Sequence, residues 1–463
     1  MIAPHELAER ALAAARSLDG AIAIVTSSSR ADLRWARTTL TTNGESRATE
    51  LTLIGFQRIG EGMATATLSA SQPDSGQIDG LAADLAHALR QATAAPDAYP
   101  LVQSTGPGPA GWSDPVEHTS SAALAPLAAP LGEVFSSCAA DEIELFGYAE
   151  HALSTTWLAS STGLRARHAQ PVARLEVTAK SHGRQRSTWW GSAGEDFADI
   201  DLSPGERSLR QGLGWQARHI DVPAGRHRAL LTPSAIGDLM VDLWWSASAR
   251  EAVEGRSVFS GPAGSTRLGE RLSPRALTLS SDPQDPLVPA AGFLTAGASS
   301  DLASVFDNGM PLDPVDWIRE GTLAALHAGR RFAEDHDLAS TVSPDCLRLV
   351  DPAGQGGLDE VIARADEALL VTCLWYNRLV DPQTMLLTGL TRDGVYLVRG
   401  GEVVGATANF RFNDSPVSIL GRITDAGTAV RTLPREMGDY AERVVMPAVR
   451  VEDFHFSTRS DAR

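Results

Sequence analysis

The sequence predicts an α+β protein, with mixed helix and antiparallel-sheet domains followed by a β-rich C-terminal domain. Three observations carry this expectation. A helix-period segment opens the chain and is followed by several β-branched runs; a Pro- and Gly-dense stretch interrupts the first half; and strand-like runs dominate the region beyond residue 368.

Leu7, Ala8, Ala11, Leu12 and Ala15 fall on one stripe of a helix over residues 4–17. Strands are expected at Ala21–Thr26, Leu33–Thr41, Thr49–Phe56 and Gly62–Ser69. Asn43-Gly44, placed between two of them, reads as a type I′ hairpin turn because both central residues of that turn need positive φ. Leu81, Leu85 and Leu89 give Ile78–Thr93 helical spacing and close a first domain, residues 1–105. Pro96, Pro100, Pro107, Pro109 and Pro115 mark a linker over 95–116.

A middle α+β domain, residues 117–224, is expected to begin with a helix through Leu127–Ser137. Strands at Ile143–Tyr148, Thr155–Ser160 and Val172–Thr178 follow, and a helix over Glu206–Ala217 ends it. Pro223-Ala224-Gly225 punctuates the exit to a strand at Arg228–Leu231. The C-terminal domain, 225–463, is read as one helix at Ile236–Ala252 and then loops and strands, the clearest at Ala368–Leu374, Gly394–Arg399 and Val403–Arg411. No fixed-period repeat is present.

Composition narrows the function classes. The 463 residues are 43% hydrophobic and 21% charged, the profile of a soluble globular chain. A formal net charge of −17 sets a repulsive field against a phosphate backbone, so nucleic acid is not an expected partner. Met1 to Leu7 lacks a basic segment followed by an apolar core, which predicts a cytoplasmic protein. The longest apolar run, Ala122 to Leu131, contains Pro126 and Pro130 and is shorter than the roughly 18 residues of a membrane span, so no membrane anchor is expected. Cys138, Cys346 and Cys373 are scattered and odd in number, and read as reduced, buried residues.

Residues 230–240 (LLTPSAIGDLM), 250–261 (REAVEGRSVFSG), 268–274 (LGERLSP), the long segment 369–420 and the ending MPAVRVEDFHFS at 446–457 together resemble the TldD/PmbA family, in which PmbA is another name for TldE. The match is close over 228–463; before that it rests on element order. The resemblance implies a C-terminal domain of TldD/PmbA type. It also implies a peptidase in which the TldD branch carries His-Glu-x-x-x-His on a helix, with a downstream Cys completing a zinc site. Two imidazoles on one helix can hold Zn²⁺, and the metal lowers the pKa of its bound water to about 7.

The corresponding window here reads Met240-Val241-Asp242-Leu243-Trp244-Trp245. Of these only Asp242 could bind a metal; Met240, Val241 and Trp245 cannot replace imidazoles. The only His-Glu pair, His5-Glu6, has no second histidine in reach, and no cysteine follows Cys373. This pattern is similar to TldE, which implies no catalytic or metal-binding residue and no cofactor in this chain, and Zn²⁺ in a TldD-like partner subunit. The expected substrates are unfolded peptides, held as an added strand at a sheet edge, with residues 368–411 as the expected substrate wall.

Other constellations have plainer readings. Glu334-Asp335-His336-Asp337 cannot all point at one ion and reads as a solvated helix face. His219 and His227 flank a turn without a third ligand. Gly354-Gln355-Gly356-Gly357 lacks the Gly-Lys-Ser/Thr ending of a P-loop and reads as a turn before a helix. Trp189-Trp190 and Trp244-Trp245 are each expected to span a core face and an exposed or interface face, with simple core packing favoured over a partner or peptide contact. Two rivals stay open: a stand-alone homodimer that binds peptides, and a metallopeptidase using Asp242, Glu251 and Glu254 as carboxylate ligands.

Overall fold

The computed structural model describes residues 2–104, 106 and 108–460; Pro107 of the expected linker lies outside the described residues. In chain order the first half contains α1 (Pro4–Ala14), β1 (Gly20–Ala36), β2 (Thr39–Ile59), β3 (Gly62–Ser71), α2 (Ser75–Leu89), α3 (Ala125–Ala140), β4 (Glu144–Ser160), β5 (Arg165–Ser181), β6 (Arg186–Gly194) and α4 (Leu202–Trp215). Then come β7 (Gly225–Leu231), α5 (Pro233–Trp245), α6 (Ala249–Val253), β8 (Thr278–Ser281), β9 (Val315–Arg319), β10 (Thr322–Leu323), α7 (Arg330–Asp335), β11 (Leu347–Val350) and α8 (Leu358–Ala363). The last elements are β12 (Glu367–Asp381), β13 (Leu386–Arg399), β14 (Glu402–Thr407), β15 (Asn409–Asp414), α9 (Pro416–Arg422), β16 (Ile423–Ala426), β17 (Val430–Thr432), β18 (Val444–Met446) and β19 (Val449–Ser460).

The expected break between two N-terminal domains does not divide the sheet. β1 pairs along its length with β4, from Ile22↔Ser160 to Trp35↔Gly147, so one antiparallel sheet in the order β3-β2-β1-β4-β5-β6 runs across both segments. Strand alternation then sorts the side chains. Ala21, Ala23 and Val25 of β1 pack with α1 and α2, and Ala31 and Trp35 of the same face pack with α3 and α4. Ile22 and Ile24 of the opposite face meet Val305 and Phe306 of the C-terminal region. Side chains as fully buried as Trp157 and Phe56 each contribute about 2–3 kcal/mol to this layer.

The turn between β1 and β2 falls at Arg37-Thr38, both at positive φ (52° and 58°), and not at Asn43-Gly44. Asn43 and Gly44 lie inside β2, opposite Leu33 and Asp32, because extending the ladder gains more pairing than turning early. α3 continues through Pro130, whose missing N–H frees only the Pro126 carbonyl. Together with the 3₁₀ turn before it, α3 forms a helical stretch, Ser121–Ala140, long and apolar enough by length and composition to cross a membrane, which the shorter run read from sequence did not suggest. Leu127, Leu131, Val134 and Cys138 on that helix face the sheet.

The C-terminal half holds two further sheets. One has the order β10-β9-β8-β11-β18-β17; the other closes on itself through β12-β7-β19-β15-β13 and back to β12, with β14 added at β13. α5 lies in the core they share, with ten buried residues, and starts with Pro233 after Thr232, whose Oγ1 accepts from the Ala235 N–H. The single helix expected over 236–252 is split. Ser248 caps α6 by accepting the Glu251 N–H, and the backbone of Ala247 and Ala249 bonds instead to His327.

Candidate functional site at the far turn of α5

The far turn of α5 meets an irregular stretch of β12 and the loop that follows β17. Asp238 and Asp242 are one helical turn apart, so both project to the same side. Asp238 is fully buried; its Oδ1 accepts the backbone N–H groups of Glu436 (3.0 Å) and Met437 (3.1 Å), while Oδ2 has no partner among the described residues. Asp242 is half-buried and its Oδ2 accepts from Asn377 Nδ2 at 3.4 Å.

The β12–β13 ladder slips between Trp375 and Arg378, and Tyr376 sits at φ 55°. This irregularity turns Asn377 toward α5 and leaves Tyr376 exposed. Gly389 opposite makes room: a Cβ there would stand 2.7 Å from Asn377 Oδ1 and 2.5 Å from Phe412. Arg378 lies 3.4 Å from Glu436 and 5.8 Å from the Tyr376 ring, and Trp245 meets Tyr440 edge-on at 6.1 Å.

Burial, together with the negative charge of Glu436, pushes the Asp242 carboxyl up to about 7 against the opposing pull of the Asn377 hydrogen bond and Arg378. Burial and the neighbouring Asp242 and Glu436 charges raise Asp238 well above the ordinary carboxylate range, despite its two backbone hydrogen bonds. These carboxyls therefore hold protons more readily than an ordinary carboxyl does. Met240 and Val241 are wholly buried in the core and offer nothing to a ligand.

The chemistry of the donor set does not fit a zinc ion. Cys373 is buried, its thiol donates to the Arg392 carbonyl at 3.0 Å, and burial pushes its pKa up to about 11, which keeps it a thiol. Glu251 and Glu254, the other carboxylates considered, are both engaged by Arg256. Among the described residues no group of three or more His, Cys, Asp or Glu side chains is placed to hold a metal ion.

The remaining sequence candidates are dispersed. Glu334, Asp335, His336 and Asp337 are exposed, with Asp335 paired to Arg331 and His336 stacked on Phe332. His219 bridges to β14 at Ala406, whereas His227 bonds the Pro223 carbonyl. Gly357 caps the six-residue α8 and donates its N–H to Glu360, the arrangement expected of a turn and helix start. Trp189 and Trp190 do face opposite sides, yet neither is exposed: Trp190 packs over Gly205 of α4, and Trp189 donates to Glu176 and lies beneath Arg435. Trp244 is buried and Trp245 half-buried.

Asp238, Asn377, Glu436 and Tyr440 were not singled out by sequence. The spacing of Asp238 from Asp242 could have found the first; the others join through long-range contacts that no local pattern encodes.

The sequence profile of the PmbA/TldA metallopeptidase C-terminal domain matches residues 224–458. Among solved structures, TldE from Thermococcus kodakarensis is similar over 97% of this chain and 98% of its own, with a TM-score of 0.76 at 14% identity. A protein from Thermotoga maritima described as a proposed modulator of DNA gyrase covers 97% of this chain and 99% of its own (TM-score 0.74, 15% identity). One so described from Bacteroides thetaiotaomicron covers 98% of each (TM-score 0.74, 13% identity). At these identities the likeness is one of fold. No curated protein matches the sequence.

Proposed function

This chain belongs to the PmbA/TldA metallopeptidase family, and from that premise we propose that it is a non-catalytic, TldE-like subunit of a TldD/TldE-type peptidase. Its role is to build part of the chamber and to help hold extended, unstructured peptides. Zinc and the hydrolytic step belong to a TldD-like partner, and the complex works in the cytoplasm.

The observation that carries this reading is the use of the α5 window. Its polar and aromatic side chains, and Asp238 one turn before it, pack the helix against its neighbours: Asp238 against the loop at Glu436 and Met437, Asp242 against Asn377, Trp244 against Ser343 and Trp245 against Tyr440. A catalytic helix instead needs imidazoles free to meet a metal and an open coordination position. TldE-like overall fold adds support, because it extends over both halves of the chain.

The test is capture of the tagged protein from its own cells followed by mass spectrometry. A co-purifying chain at near-equal amount that contains His-Glu-x-x-x-His is the expected result. Recovery of this chain alone, as a homodimer, would refute the two-subunit reading in favour of a stand-alone peptide-binding protein.

A further inference from the structure

The closed C-terminal sheet leaves one face of β12, β13 and β15 partly open to solvent. Trp375, Leu390 and Arg411 pair in one row across these three strands. Paired residues share a face, and strand alternation adds Thr388 and Arg392 of β13 to it. Trp375, Thr388, Leu390 and Arg392 are half-buried there and Arg411 is exposed. Leu387, which alternates with them, is instead buried in the core around α5.

This face carries more positive charge than its surroundings balance. Arg392 lies 5.4 Å from the centre of the Trp375 ring, and the one carboxylate that reaches it among the described residues is Asp393, at 3.7 Å. Asp393 is already held by Arg435 and by the Ser187 hydroxyl at 2.8 Å. Arg411 forms no ion pair among the described residues; it donates to the Thr388 hydroxyl at 3.2 Å. The guanidiniums of Arg392, Arg411 and Arg435 thus meet a single carboxylate, in a chain whose net charge is −17. Two N–H donors also lack acceptors among the described residues, Nε of Arg392 and Nε1 of Trp375. Unused donors beside uncompensated guanidiniums call for an anionic acceptor. Arg378, farther along β12, adds nothing to this excess because Glu436 pairs with it.

We propose that this face binds one carboxylate of a peptide, seated over Leu390 between the guanidiniums of Arg392 and Arg411. The site rests on the peptide-holding role proposed above, and gives that role a selectivity carried by side chains. Arg392 stands two residues past Leu390, diagonal to Arg411, and diagonal neighbours on adjacent strands are about 7–8 Å apart, so both side chains reach one carboxylate. Each planar guanidinium can meet its oxygens with two parallel N–H groups. Arg411 gives up only a neutral hydroxyl contact to do so. Leu390 and the Trp375 ring offer apolar area to the residue that bears the carboxylate. A polyanion fits poorly, because the protein around the site is strongly acidic. The site shares no residue with the α5 window.

The test is isothermal titration of the purified full-length chain with three short N-acetylated peptides of glycine, serine and leucine. One has a free C-terminus, the second is its C-terminal amide, and the third is an amide with one internal glutamate. The free carboxylate should bind about tenfold tighter than its amide twin. Arg392→Gln and Arg411→Gln should each reduce that advantage to about twofold or less and leave binding of the amide unchanged. Both variants keep the Arg435–Asp393 pair, so the fold is retained. Tight binding of the glutamate peptide upholds the proposal with a side-chain carboxylate as the source; weak binding upholds it with the C-terminus. Equal binding of acid and amide, no measurable binding of either carboxylate peptide, or an unaltered preference in either variant overturns it. So does a dimer in sedimentation that Arg411→Gln dissociates, since an acidic residue of a second copy then fills the site. A chain that shows the preference but captures no zinc-bearing partner keeps this site and loses the two-subunit reading, and a captured partner without the preference does the reverse.

Discussion

The guanidinium of Arg435 stands 5.0 Å from the ring centroid of Trp189, and so joins the loop after β17 to the last strand of the N-terminal sheet. Trp375 of β12 lies 5.2 Å from the same guanidinium, which also pairs with Asp393 and donates to Cys373 at 3.3 Å. A few residues on, Asp439 accepts from Arg174 of β5, and the backbone of Glu436 and Met437 donates to Asp238. One loop thus fastens the first sheet to α5.

Arg435→Ala should destabilise the protein by about 2–3 kcal/mol, because it leaves the buried Asp393 carboxylate with only the Ser187 hydroxyl and the more distant Arg392 guanidinium at 3.7 Å. Urea unfolding followed by tryptophan fluorescence, with Trp189 and Trp375 at the broken contact, reads the loss. Arg435→Lys should recover only part of it, since an ammonium cannot stack between two indoles as a planar guanidinium does.

Asp242 makes stability depend on pH. Its carboxyl is raised in the folded protein, so the folded state holds a proton that the unfolded state releases near pH 4. Its contribution is fully present below that pH and is lost as pH rises toward 7, with a slope of at most about 1.4 kcal/mol per pH unit. Asp242→Asn, which can still accept from Asn377, should raise the melting temperature at pH 8 and leave it nearly unchanged at pH 4. Equal effects at both pH values would show that the carboxyl is not desolvated.

Gly389→Ala should cost about 1–3 kcal/mol and displace Asn377, since the added Cβ meets Asn377 Oδ1 and the Phe412 ring at distances no side chain tolerates. The displacement should lower the apparent pKa of Asp242 only if it also admits water, which an NMR titration of the Asp242 carboxyl would register.

In the proposed complex with a TldD-like subunit, Asp242→Ala should change peptide cleavage by less than about twofold, whereas loss of either histidine of the zinc motif proposed for that subunit should abolish it. Steady-state cleavage of an unstructured peptide measures both. A large loss with Asp242→Ala would place this residue in the chemistry.

Much of the architecture was legible in sequence because it rests on local periodicity. The stripe Leu7, Ala8, Ala11 marks α1, and the leucines Leu81, Leu85 and Leu89 mark α2, where an Asp74–Gln77 capping box fixes the start. The continuous sheet was not legible, since Ile22 and Ser160 pair across a sequence separation that carries no local signal. Arg37-Thr38 hid the hairpin turn because neither residue is a usual positive-φ former, and Asn43-Gly44 nearby offered a stronger but unused signal. For the site, the α5 window was found through what it lacks; Asn377 and Glu436 come to Asp242 only through tertiary contacts.

The most direct measurement compares three purified samples: this chain, a TldD-like subunit, and their equimolar mixture, each assayed for zinc by mass spectrometry and for cleavage of an unfolded peptide. No stoichiometric zinc and no cleavage are expected for this chain, with cleavage by the mixture and zinc confined to the partner. One zinc per chain together with cleavage by this chain in isolation would contradict it.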